Sequence, residues 1–305
     1  MITATLAATV EETLGDPYDD TNPHGFRALL DAAEGRGTPD SSEGRGPVGG
    51  AATWRVPDGD PESVLHALRA LHRRSPALAP APATGTTAAT TVGASVVTTA
   101  VTTAGASVGA LDSALRITLR HLRSRHLYGA PAIDLPALRT LLAGAYADLL
   151  LCDTLTTLAV RGTEPPPGRP GSLTHAAAAL APRALQGAMD RLSVVMGSRF
   201  YIREGAHASF QRLLYETQRA LFGAGCPVPD PAPVPLAALL AAPAVAEFAD
   251  PVLLAAAPGL ALTGSSRRVP QPGGGVQERL YAELVARYEA GSSFDHTRRA
   301  LPDRP

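Results

Sequence analysis

The sequence predicts a mainly α-helical fold built around an antiparallel four-helix bundle. Three observations predict it. Leu, Ala, Val and Met recur at spacings of three and four over several long stretches. Pro- and Gly-rich breaks separate those stretches. No alternating strand–helix series runs through the chain, so a parallel α/β sheet is not expected. Apolar residues make up 45% of the 305 positions, enough for a substantial core, while aromatics reach only 5%.

In chain order, 5–14 and 24–34 read as short helices around the turn GDPYDDTNPHG. Residues 35–52 have the composition of a flexible linker. Pro61 suits the first turn of a helix over 61–74, with Val64, Leu65, Leu68 and Leu71 on one face. The segment 85–106 is ambiguous: its Thr and Val favour a strand and its Ala a helix. Val108, Leu111, Leu115, Leu119 and Leu122 predict an amphipathic helix over 107–127. Asp134 suits the N-cap of the next helix, whose stripe is Leu138, Leu142, Ala145, Leu149 and Cys152. A third bundle helix covers 173–197, with Pro182 inside it, and a fourth 206–222. Residues 226–275 are Pro/Ala-rich, and a last amphipathic helix spans 276–290. The implied units are 1–34, 35–52, 53–106, 107–225, 226–275 and 276–305.

Composition narrows the chemistry. The chain has no lysine, which excludes Schiff-base and P-loop lysine chemistry. A net charge of -1 gives no global case for nucleic acid or an anionic membrane. Cys152 and Cys226 lack metal-ligand spacing, and the eight histidines form no ligand cluster, so no metal is expected. The start MITATLAATVEETLGD has no basic n-region, so a cytoplasmic location is expected. Residues 76–111 carry no charge but are rich in Thr, Ser, Gly and Pro, and read as buried protein rather than a membrane span.

The stretch LRHLRSRHLYGAPAIDLPALR at 119–139 is the most chemical in the chain. Arg116, Arg120, Arg123 and Arg125 crowd the end of a helix that stops at Gly129. Solvated neighbours would explain a basic helix end, and His121 and His126 read as surface histidines beside it. The order Arg125-His126-Leu127-Tyr128-Gly129, Pro131, then an amphipathic helix resembles the C-terminal domain of acyl-CoA dehydrogenases, which carry an Arg-x-Gln-Phe-Gly motif there. DRLSVVMGSRFYIREGAHASFQRLL is similar to that family's glycine-rich region and following helix. The N-terminal TLGDPYDDTNPHGFRALLDAAE and SVLHALRALHRRSPAL also resemble family segments.

The resemblance implies a four-helix bundle with a shortened helical N-terminal part, FAD as cofactor, and α,β-dehydrogenation of an acyl thioester. It assigns Arg125, Tyr128, Gly129 and Gly197 to the cofactor, the guanidinium offering a planar fork to the pyrophosphate. Glu204, Glu216 and Asp112 are the candidate proton acceptors. The family's glutamines are replaced by Leu127, Pro136 and Val194, its second glycine by Ser198, and an Arg-Asp pair by Tyr215-Glu216. The family's β-rich middle domain has no room between HRRSPAL and VGALDSALR. Two forms are therefore expected: a flavoenzyme completed in a homo-oligomer or by a full-length homologue, or a non-catalytic bundle subunit. GASVG at 105–109 offers a different class, a serine hydrolase with Ser107 as nucleophile and Asp250 and His296 behind it.

Overall fold

The computed structural model describes residues 3–35, 54, 56, 59–79, 92–127, 129–162, 172–223 and 274–303. These residues hold eight α-helices: α1 (Thr3–Leu14), α2 (Phe26–Ala33), α3 (Pro61–His72), α4 (Val92–Ser124), α5 (Pro136–Val160), α6 (Ser172–Met196), α7 (Gly205–Phe222) and α8 (Gly274–Glu289). The only strands among them are β1 (His126–Leu127) and β2 (Ala130–Pro131), one antiparallel hairpin. The expected mainly α class is therefore the observed one. The expected linker at 35–52, apart from Gly35, and most of 226–275 lie outside the described residues, as do Tyr128, Cys226 and Asp250.

The ambiguous Thr/Ala stretch resolves as helix from Val92 onward, so an expected boundary at 107 falls inside one 33-residue helix. Two of its buried hydroxyls are satisfied within the helix. Ser107 Oγ donates to the Thr103 carbonyl at 2.8 Å and Thr118 to Ala114 at 2.8 Å. This removes the cost of burying Thr and Ser in a helix core. α4 packs on α5, α6 and α7, while α3 lies across it, α1 rests on α3, and α8 covers α5. Among the described residues α5 alone is long and apolar enough to span a membrane, yet it lies buried in the core of the protein. Asp134 does not cap it. A 3₁₀ turn (Ala132–Asp134) intervenes, Leu135 holds the N-cap position without a side-chain bond, and Asp134 pairs with Arg139 at 2.6 Å. Asp134 stands one residue too early to reach the free N–H groups.

GASVG explains the α3–α4 crossing. A Cβ at Gly109 would run into the carbonyl oxygen of Arg69, and one at Gly105 would sit 2.7 Å from Leu65 Cδ1. The two glycines, one helical turn apart, let the backbones touch. Ser107 lies between them, fully buried in mid-helix, its Oγ 3.4 Å from His72 Nδ1. Burial pushes His72 down to about 3. The strand-to-helix turn that a nucleophile elbow requires is absent here. The hydrolase reading is overturned, because His296 meets Asp153 and Thr154 instead.

That crossing opens onto a buried ionic network. Arg69 meets Asp153 at 2.5 Å and Asp295 at 3.8 Å. Arg73 reaches Glu11 at 3.3 Å, Asp303 at 3.0 Å and Asp112 at 3.6 Å. Arg116 holds Asp112 at 2.8 Å and Asp303 at 3.8 Å, and Arg299 holds Asp295 at 2.9 Å and Glu11 at 3.6 Å. No side chain in this set is more than 6% exposed. Charges so buried persist only when paired. The last segment, 291–303, supplies three of them and folds back on itself through Ser293 N to Arg299 O (2.8 Å) and Leu301 N to Gly291 O (2.9 Å). Phe294 anchors it, fully buried against Tyr146 and 4.4 Å beneath the Arg116 guanidinium.

Candidate functional site

The arginine run at the end of α4 is divided by its neighbours. Arg116 belongs to the buried network and also donates to the Ser292 carbonyl. Arg120 lies 4.1 Å over the Tyr18 ring. Arg123 pairs with Glu289 at 2.7 Å and stacks 4.8 Å over Tyr288. The expected wet basic face is thus three packing contacts, with the 291–303 segment, with the turn between α1 and α2, and with α8. Arg125, half-buried, makes no side-chain hydrogen bond or ion pair among the described residues.

Arg125 stands where α4 gives way to the hairpin, its carbonyl accepting from Ala132 N at 2.7 Å. Gly129 turns the hairpin with a φ of 83°, a value that glycine adopts without strain. Across from it, α6 ends at Gly197, φ 60°, and a 3₁₀ turn (Gly197–Tyr201) leads toward α7. A Cβ at Gly197 would lie 3.8 Å from Arg125 Nη1. The structure therefore brings together Arg125 and Gly197, and places exposed Gly129 four residues beyond Arg125. It says nothing of Tyr128.

Two histidines complete this corner. The rings of His121 on α4 and His207 in the first turn of α7 stand 5.1 Å apart, edge to face. His121 is only 7% exposed, and the Nε2 atoms of both rings are buried without a partner. Burial, then His207, Arg125 and Arg199 hold His121 down to about 4. Burial and Arg199 lower His207. The expectation of two surface histidines holds for exposed His126 but not for His121. Sequence reading passed over Arg199 and His207. Their only signal was that basic residues end α4 and begin α7, helices whose meeting is a tertiary fact.

The three candidate proton acceptors have different surroundings. Asp112 is buried, its Oδ1 on Arg116 and its Oδ2 accepting Phe294 N at 2.6 Å. Glu216 accepts from Arg212 Nε at 2.7 Å and from Ser75 Oγ, tying α7 to the 3₁₀ turn Pro76–Leu78. Both are engaged as structural ion partners. Glu204 is exposed at the N-cap of α7, and its carboxylate has no bond among the described residues. It lines a cleft of about 400 Å³ whose opposite wall is α2, through Phe26, Arg27 and Leu30, with Tyr18 at its edge.

The donor set can be tested against a flavin dinucleotide. A free guanidinium beside a glycine with no Cβ in the way fits a pyrophosphate. A β-domain that would cover a flavin ring is absent from the described residues. The dinucleotide end fits, and the described residues put no β-domain at the ring end.

No curated protein matches the sequence, and no solved structure does. One family model matches, acyl-CoA dehydrogenase, C-terminal domain, over residues 90–227. That interval starts just ahead of α4, takes in α5, α6 and α7, and includes Arg125, Gly129, Gly197 and Glu204. Residues 90–227 of this chain are similar to the C-terminal domain of acyl-CoA dehydrogenases, and the helical fold of α4 to α7 agrees with that likeness.

Proposed function

We propose that the protein is an acyl-CoA dehydrogenase-type subunit that acts on an acyl thioester with FAD shared across an oligomer. One observation carries this reading: of the three candidate carboxylates, Glu204 alone is unengaged, and it faces a cleft. Glu204 would take the proton from the carbon beside the thioester carbonyl. It stands at the N-cap of α7, on the rim of that cleft. FAD, when bound, supplies the hydride acceptor. Arg125 would hold its pyrophosphate, with Gly197 and Gly129 keeping the approach open. A second chain, a copy or a full-length homologue, would supply the wall over the flavin ring, since the described residues contain none. A buried Cys152 thiol, pushed up by desolvation, is inert and suits a reducing cytoplasm.

The test is co-purification of the full chain with a co-expressed full-length acyl-CoA dehydrogenase, read by flavin absorbance and by thioester dehydrogenation. Flavin content attributable to this chain is expected. Glu204→Gln should lower turnover by at least about a hundredfold while flavin stays bound. Colourless protein that neither takes up added FAD nor gains it with the partner would leave a non-catalytic bundle subunit. That second reading is favoured by the lack of a β-domain among the described residues.

A further inference from the structure

We propose that residues 291–303 form a releasable strap, which fills a peptide-binding cradle between α3, α4, α5 and α8 as an internal ligand. The ligand class is a peptide with an aromatic residue followed by an acid and a second acid further on, as in Phe294, Asp295 and Asp303. The cradle meets that pattern feature by feature. Phe294 lies edge-on to the Tyr146 ring, 6.0 Å between centroids, and the Arg116 guanidinium stands 4.4 Å from its own centroid. Arg69 lies 3.8 Å from Asp295, and Arg73 donates to Asp303 at 3.0 Å. The backbone is gripped as well. Phe294 N donates to Asp112 at 2.6 Å and His296 N to Asp153 at 2.7 Å. Arg287 of α8 donates to the carbonyls of Phe294 and Asp295 at 2.9 and 3.0 Å. None of these residues lines the Glu204 cleft, so the inference stands apart from the flavin reading.

Three features let the strap leave as a unit. It keeps bonds of its own: Arg299 N donates to Ser293 Oγ at 2.9 Å, and the Arg299 guanidinium meets Asp295 at 2.9 Å. Its departure leaves each of its arginine partners with an acid. Arg69 keeps Asp153 at 2.5 Å, Arg73 keeps Glu11 at 3.3 Å, and Arg116 keeps Asp112 at 2.8 Å. A guanidinium stranded in the core would oppose opening, and none is created. Lastly, Phe294 is the one large apolar side chain that the strap buries fully. Buried ion pairs return little net stability, because each charge gives up its water. The hold therefore rests mostly on one aromatic ring. Segments with few buried apolar contacts open ahead of the core.

The probe is a synthetic peptide of residues 291–303 with a fluorescent label at its N-terminus. It is added to the full chain and to the full chain carrying Phe294→Ala, and binding is read by anisotropy. In the parent the strap competes at an effective concentration on the order of millimolar, so micromolar peptide should not bind. Phe294→Ala should weaken the internal strap by about a hundredfold or more, and the peptide should then bind at least about tenfold more tightly than to the parent. Peptides that themselves carry Phe294→Ala or Asp295→Asn should each lose at least about tenfold. A folded Phe294→Ala chain that takes up no peptide at about 1 mM overturns the inference, as does binding to which neither peptide change matters. Hydrogen exchange on the unmutated chain gives a readout that holds even if the variant fails to fold. The amides of Ser293, Phe294, His296 and Leu301 should exchange at least about a hundredfold faster than those in the buried turns of α4 and α5. Equal rates overturn release and make 291–303 a fixed part of the core.

Discussion

Arg116 and Arg125 stand nine residues apart near the end of one helix and have opposite fates. Arg116 is 2% exposed and faces Asp112 and Asp303, within a network that joins α1, α3, α4, α5 and the last segment of the described chain. Arg125 is half-buried beside Gly197 and faces no acid. The difference is one of desolvation. A cation in the core needs an anion of the protein itself, whereas one at the rim is stabilised by water and can exchange water for a ligand. Charge in the middle of α4 therefore serves the fold, and charge at its end is free to serve binding.

The comparison breaks most easily at its buried side. Asp153→Ala leaves Arg69 without its 2.5 Å partner in a fully buried site, and should cost about 3–5 kcal/mol in urea unfolding. A loss under about 1 kcal/mol would mean the network does not hold the core. Next is the crossing that opens onto it. Gly109→Ala pushes a methyl group into the Arg69 backbone and should cost about 1–3 kcal/mol, since α3 must shift from α4. A neutral result would detach the network from that close approach.

Acid acts more gradually. His66 is held down to about 4 and His72 to about 3, both chiefly by burial, so the folded state binds fewer protons than the unfolded chain. Their contribution is fully present above the unfolded value near 6.5. It is lost as pH falls from there toward 4 and 3, at up to about 1.4 kcal/mol per pH unit for each. Asp153, Asp295 and Asp303 are lowered despite burial, by Arg69, Arg299 and Arg73 respectively, and their contribution is lost only below the ordinary carboxylate range. Unfolding free energy should therefore begin to fall near pH 6. A flat profile from pH 7 to 5 contradicts the buried-histidine account.

The helices were legible because they rest on local periodicity. Leu111, Leu115, Leu119 and Leu122 mark α4 as plainly in the sequence as in the packed bundle. Pro182, which cannot donate to the helix ladder, sits inside α6 as expected. GASVG was misleading because Gly-x-x-x-Gly serves a tight turn and a tight helix crossing equally, and only the position of α3 decides between them. The ionic network was illegible for a similar reason. Asp112 and Asp295 gain their meaning from partners far away in the chain, and so Asp112 could pass for a proton acceptor. At the candidate site, Arg125, Gly129, Gly197 and Glu204 came from a linear motif. Arg199 and His207 emerge only where α4, α6 and α7 meet.

Arg125→Ala tests the account most directly, because it asks one residue both questions. Thermal unfolding and FAD affinity would be measured on the complex with a full-length acyl-CoA dehydrogenase. With no internal partner to lose, the variant should stay within about 0.5 kcal/mol of the parent in stability. Its FAD dissociation constant should rise by a factor corresponding to about 2–3 kcal/mol, the value of hydrogen bonds to a charged group. A variant that unfolds like Asp153→Ala, or that binds FAD as tightly as the parent, contradicts the division between a cation for the fold and a cation for the ligand.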